Sequence, residues 1–147
     1  MSDLKALYQA VILAHNKNPK NFRRPEKTNR SAGGYNPVCG DQLTIFVEFE
    51  NDSIVDIGFH GSGCAISKAS ASLMTGSVKG KTKNEVEQIY EKVKSILKES
   101  SDDVSNLGEL AALSGVREFP VRVKCATLAW ETLNNALEEK GGTVTTE

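Results

Sequence analysis

From Ser2 onward the apolar residues Leu4, Leu7, Tyr8, Val11 and Ile12 recur at three- and four-residue steps, with His15 on the same stripe. This spacing predicts a helix that ends near Asn18-Pro19. Residues 19–38 carry Pro, Gly, Asn and Arg without a period, which predicts a long connection contributing one edge strand. The period then changes to two. Between Gln42 and Glu50, Leu43, Ile45, Val47 and Phe49 face one way and Thr44, Glu48 and Glu50 the other, with Phe46 an apolar exception on the polar side. Asn51-Asp52 is a turn pair, and Ile54 to His60 alternates again through Val55, Ile57 and Phe59, so the two segments predict an antiparallel hairpin.

The run of small residues from Ala65 to Met74 predicts a helix able to bring its backbone close to the sheet, ending by Gly76 to Gly80. Thr82 and Glu85 form a capping-box pattern ahead of Val86, Ile89, Tyr90, Val93, Ile96 and Leu97, which are helically spaced. The polar stretch Glu99 to Asn106 breaks that helix. A short helix over Leu107 to Leu113 should end at Gly115, and Phe119-Pro120 should open a last helix with Leu128, Thr132, Leu133, Ala136 and Leu137 on one face. The polar tail Gly141 to Glu147 reads as mobile. The sum is an α+β fold, a small antiparallel sheet of about three strands packed with helices, expected to form one domain over residues 1–147.

Composition narrows the function classes. With 39% hydrophobic residues in 147, the chain can bury one sizeable core. Eighteen Lys plus Arg against nineteen Asp plus Glu leave a net charge of -1, which supplies no general attraction to nucleic acid or to a membrane surface. The basic run Lys20 to Arg24 is local, and Arg23 and Arg24 read as solvated surface. Neither a continuous apolar leader nor a stretch of roughly 20 apolar residues is present, so a cytoplasmic location is expected. In that reducing setting three cysteines, an odd number, point to metal, catalysis or burial and not to disulfides.

All three cysteines lie where a turn or glycine-rich loop would aim a side chain at a site: Cys39 in Asn36-Pro37-Val38-Cys39-Gly40-Asp41, Cys64 in Gly61-Ser62-Gly63-Cys64, and Cys125 early in the last helix. Cys39 and Cys64 flank the two open ends of the hairpin, which brings them near each other. With Asp41 they make three thiolates and a carboxylate, a four-ligand set suited to zinc in which the harder carboxylate is the more easily displaced. Gly40 lets the loop bend so that Cys39 and Asp41 can face one ion. Cys64 and Cys125 sit near helix N-termini, where the macrodipole should lower a thiol pKa. Cys39, on the most flexible segment, is the thiol expected to reach a partner. His15 and His60 read mainly as structural, Ser67, Ser70 and Ser72 as packing residues, and Lys124 equally as a solvated charge or a contributor to the site or a partner surface.

Taken together, His15-Asn16-Lys17-Asn18-Pro19, Asn36 to Asp41, Gly61 to Ser67 with Ala69 to Ser72, Gly80-Lys81 and Phe119 to Trp130 make this chain similar to the IscU and SufU iron-sulfur cluster assembly family, related to the N-terminal part of NifU. IscU-type scaffolds of that family usually carry His before the last cysteine, where this chain has Lys124. The stretch from about Glu99 to Glu118 resembles the insertion that marks the SufU branch. The resemblance to that branch implies zinc held by Cys39, Asp41, Cys64 and Cys125, with iron or a [2Fe-2S] cluster as the alternative occupant. It also implies sulfur acceptance by Cys39 from a SufS-type cysteine desulfurase, with downstream iron-sulfur assembly proteins as recipients. Arg122 and Lys124 are the candidate partner contacts. The alternative function is that of a scaffold on which a [2Fe-2S] cluster is built and transferred.

Overall fold

The computed structural model describes residues 2–98, 107–138 and 143–145. Helix α1 (Ser2–Lys17) is followed by strands β1 (Arg30–Asn36), β2 (Asp41–Glu50) and β3 (Ser53–Ser62). Helices α2 (Ala65–Val78) and α3 (Lys83–Lys98), a 3-10 segment (Gly108–Glu118), helix α4 (Pro120–Leu137) and the short strand β4 (Thr143–Thr145) complete the order. The expected antiparallel three-stranded sheet forms in the order β3-β2-β1, and β4 adds to β1 in parallel. The polar tail therefore supplies an edge strand. Its pairing is made by backbone groups, for which side-chain polarity is no guide.

Between β2 and β3, Asn51 and Asp52 take φ of 52° and 63°, the consecutive left-handed pair that a tight hairpin of right-handed twist requires. The ladder pairs Glu48 with Asp56 and Phe49 with Ile54, so Val55 has no opposite number. This bulge overturns one expectation: Val55 is turned out, 45% exposed, and Ile54 takes the buried place. Beyond the bulge the alternation holds, and Ile57 and Phe59 join Leu43, Ile45 and Val47 in the core.

The predicted stripe of α1 buries Val11, Ile12 and His15, while Leu4 and Leu7 fall outside the described side chains. Thr82 and Glu85 close the capping box reciprocally, Thr82 N–H donating to Glu85 Oε1 at 2.9 Å and Glu85 N–H to Thr82 Oγ1 at 3.1 Å. The break expected over Glu99–Asn106 lies outside the described residues. The short helix proves to be a run of 3-10 turns that continues through Gly115 to Glu118. Helix α4 begins with Pro at its first position, where the absent N–H would have had no partner.

Helix α4 packs on β1 and β2, and α2 packs chiefly on α1 and α4, touching the sheet mainly at β3. The small residues of α2 thus serve a close helix–helix approach more than a helix–sheet one. Ser70 marks it by donating Oγ–H to the Ala126 carbonyl at 2.6 Å. One face of the sheet is covered, and the ends of β1, β2, α2 and α4 converge on one corner.

Candidate metal centre

Period-two alternation builds that corner. Asn36 and Asp41 are the last cross-strand pair of β1 and β2, and both continue the core-facing rows, Asn36 after Ala32 and Gly34, Asp41 before Leu43 and Ile45. Polar side chains therefore sit on the buried side, each 0% exposed. Cys39 lies in the turn between them, which Gly40 closes with a φ of +72°. Cys125, in the second turn of α4, is fully buried and faces the same corner.

One ligand atom each from Cys39, Asp41 and Cys125 lies within 4.8 Å of the others. The two sulfurs are 3.1 Å apart, and all three cysteines are free thiols. Cys64 is adjacent but differently engaged. Its sulfur lies outside that close trio and caps α2, accepting the Ser67 N–H at 3.5 Å, while its own N–H donates to Asp41 Oδ1 at 2.8 Å. A Cβ on Gly63 would stand 2.5 Å from Asp41 Oδ1, so the strand-to-helix junction needs a residue without a side chain to let the carboxylate through.

Asp41 is a buried carboxylate with no Lys or Arg ion-paired to it among the described residues. Asn36 Nδ2, 3.2 Å from Oδ2, also donates to it. Burial first, then hydrogen bonding with Cys39 and Asp41 and the negative charge of its neighbours, push the Cys125 thiol well above its usual range. The helix-terminus expectation fails for this cysteine because desolvation outweighs a dipole effect confined to the first turn. Arg122 Nη1 donates to Cys39 Sγ at 3.2 Å. Hydrogen bonding to Cys125, then charge on Cys39 and Cys64, raise the Arg122 guanidinium further above its ordinary value. Two sulfurs and a carboxylate, negative when ionised and crowded within one ion's reach, fit a divalent cation, and the sulfur content favours zinc.

Arg122 is half-buried against Cys39, whereas Lys124 is exposed on α4. Val38, Phe119 and Val121 form an exposed apolar rim, 61%, 49% and 59% accessible, around the cleft that Cys39 shares. His15 holds Ser72 Oγ at 2.7 Å within the helix layer, away from the cysteines, and His60 lies exposed between Phe22 and Phe46 on the sheet. Arg23 pairs with Asp56 and Arg24 lies over Phe46. Asn36 contacts the site most fully yet has no chemical signature in sequence. Its one visible sign is its place at the head of the turn that carries Cys39.

Comparison with known proteins bears on this arrangement. The model of the NifU-like N terminal domain matches residues 7–126. The zinc-dependent sulfurtransferase SufU of Bacillus subtilis is 39% identical over 145 residues, covering 96% of this chain and 97% of that protein. The iron-sulfur cluster assembly scaffold protein IscU of Streptococcus pyogenes serotype M1 is 38% identical over 139 residues, covering 94% and 87%. A crystal structure from Fervidobacterium islandicum AW-1, described as a cluster assembly scaffold for the SUF system, superposes with a TM-score of 0.83 at 35% identity, covering 90% of this chain and 97% of that one. With this fold and this corner, the chain belongs to the family of NifU-like N-terminal domains.

Proposed function

We propose that residues 1–147 act as one unit, a cytoplasmic zinc-dependent sulfur acceptor for iron-sulfur cluster assembly that takes persulfide sulfur from a SufS-type cysteine desulfurase. Cys39, Asp41, Cys64 and Cys125 would hold the zinc, the first, second and fourth from their close grouping and Cys64 by a rotation of its side chain from the α2 cap. Bound there, zinc supplies a charge that keeps the thiols deprotonated and brings no redox chemistry of its own.

One observation carries the relay: Cys39 is the thiol of the group that sits in a surface turn, beside a guanidinium at 3.2 Å and an exposed apolar rim. Its thiolate attacks the outer sulfur of the desulfurase persulfide. The sulfur–sulfur bond of the desulfurase breaks, a new one forms to Cys39, and the desulfurase cysteine leaves as thiolate. The proton of the persulfide stays on the transferred sulfur, and nothing is oxidised or reduced overall. Arg122 stabilises negative charge on Cys39 before the attack. Lys124, exposed nearby, offers a further contact to the partner.

The second reading, a [2Fe-2S] scaffold using the same four side chains, draws on the similarity to IscU. The two separate in desulfurase turnover assays with zinc-loaded and zinc-stripped protein. Zinc-loaded protein should stimulate turnover, and Cys39→Ala should abolish that stimulation with an unchanged circular dichroism spectrum. Full stimulation by the variant would remove Cys39 from the relay, and a brown, iron-rich preparation would favour the scaffold.

A further inference from the structure

We infer that Asn36 is a positioning residue for this metal centre, a buried clamp whose side-chain amide holds Asp41 and Cys125 together from segments far apart in the chain. The inference rests on the zinc reading above.

The amide has three partners. Nδ2 stands 3.2 Å from Asp41 Oδ2 and 3.3 Å from Cys125 Sγ, and Oδ1 accepts the Val38 N–H at 3.2 Å. The orientation of the amide follows from its surroundings. A flipped group would set its oxygen against a carboxylate and its hydrogens against the Val38 N–H. Both amide hydrogens thus go to prospective ligands, one hard and one soft, 5 and 89 residues away in sequence. The side chain is fully buried, so water does not compete for these bonds.

Two effects follow. Zinc with three thiolates and a carboxylate would carry excess negative charge, and each N–H donated to that set offsets part of it. The clamp also distributes support unevenly among the ligands. Asp41 takes Asn36 on Oδ2 and the Cys64 N–H on Oδ1, and Cys125 takes Asn36, whereas the donors to Cys39 are the half-buried Arg122 and the Cys125 thiol, neither of them the clamp. Asn36 therefore keeps Asp41 and Cys125 in place while Cys39 is released to react.

The amide oxygen builds the turn and the amide hydrogens reach the ligands, so the two jobs can be tested apart. Asn36→Ser keeps an acceptor for the Val38 N–H but is too short to donate to Asp41 and Cys125, and Asn36→Ala loses both. Zinc affinity is measured by competition with a chromophoric chelator, and the sulfur-to-metal charge-transfer bands are recorded after cobalt substitution. Both variants should lose about 10- to 100-fold in zinc affinity, as outer-shell substitutions do, with shifted cobalt bands and Ser no better than Ala. Zinc binding by Asn36→Ser within about threefold of the unaltered protein, with its cobalt spectrum, would leave Asn36 a turn-former and overturn the clamp. Should the variants not fold, cadmium-113 substitution of the unaltered protein decides. Scalar coupling between the metal and an Asn36 amide proton is expected, and its absence contradicts the clamp. Absence of zinc binding by the unaltered protein itself would instead overturn the zinc reading beneath it.

Discussion

At the scale of single residues, the contrast between Cys39 and Cys125 decides which sulfur works. Burial makes an unassisted Cys125 thiolate unfavourable, so that residue suits an anchor. Cys39 is half-buried, lies beside Arg122 and faces an apolar rim on which another protein can seat. A charged donor to a thiolate makes one of the stronger hydrogen bonds. Arg122→Ala should therefore slow sulfur acceptance by about tenfold or more, on the usual net value of charged hydrogen bonds. Arg122→Lys should recover part of the rate, because the charge returns without the planar fork. Single-turnover kinetics with excess desulfurase would measure this, and an unchanged rate in the alanine variant would detach Arg122 from the reaction. Cysteine and aspartate were legible as a group because few other roles suit them in loops. Asn36 was not, since an amide acquires its meaning only from the two strands and the helix that surround it.

At the scale of elements, the hairpin was legible as far as its bulge. Alternation identified β2 and most of β3, but a single unpaired residue exchanged Val55 and Ile54 between the two faces, and no local pattern announces such a slip. The capping box of α3 was visible because its partners are three residues apart. The strand β4 was not visible, because three residues paired through their backbone leave no hydrophobic trace. The junction of β3 and α2 matters most to the site, since Gly63 lets Asp41 pass where a Cβ would lie 2.5 Å from its oxygen. Gly63→Ala should displace the Asp41 carboxylate and lower zinc affinity by about tenfold, comparable to an outer-shell defect, while the fold persists. A chelator competition with a parallel circular dichroism melt would test this, and unaltered affinity would show that the junction has slack.

At the scale of the whole molecule, four elements meet at the metal corner, so a cation held there ties the end of the sheet to both α2 and α4. Zinc at 100 times its dissociation constant should add about 2.7 kcal/mol to stability, or roughly 5–10 °C in melting temperature for a chain of this size. Calorimetry before and after chelation would reveal equal melting temperatures if the metal does not bridge these elements. The overall architecture was readable because the hydrophobic period changes cleanly from helix to strand and back. The packing of α2 against α1 and α4 was not, because small residues signal close approach without saying to what. The most direct test of the relay is intact-mass and peptide mapping of zinc-loaded protein after incubation with cysteine and a SufS-type desulfurase. A gain of one sulfur atom confined to Cys39 is the expected result. Sulfur mapped to Cys64 or Cys125, or no gain while the desulfurase turns over, would contradict it.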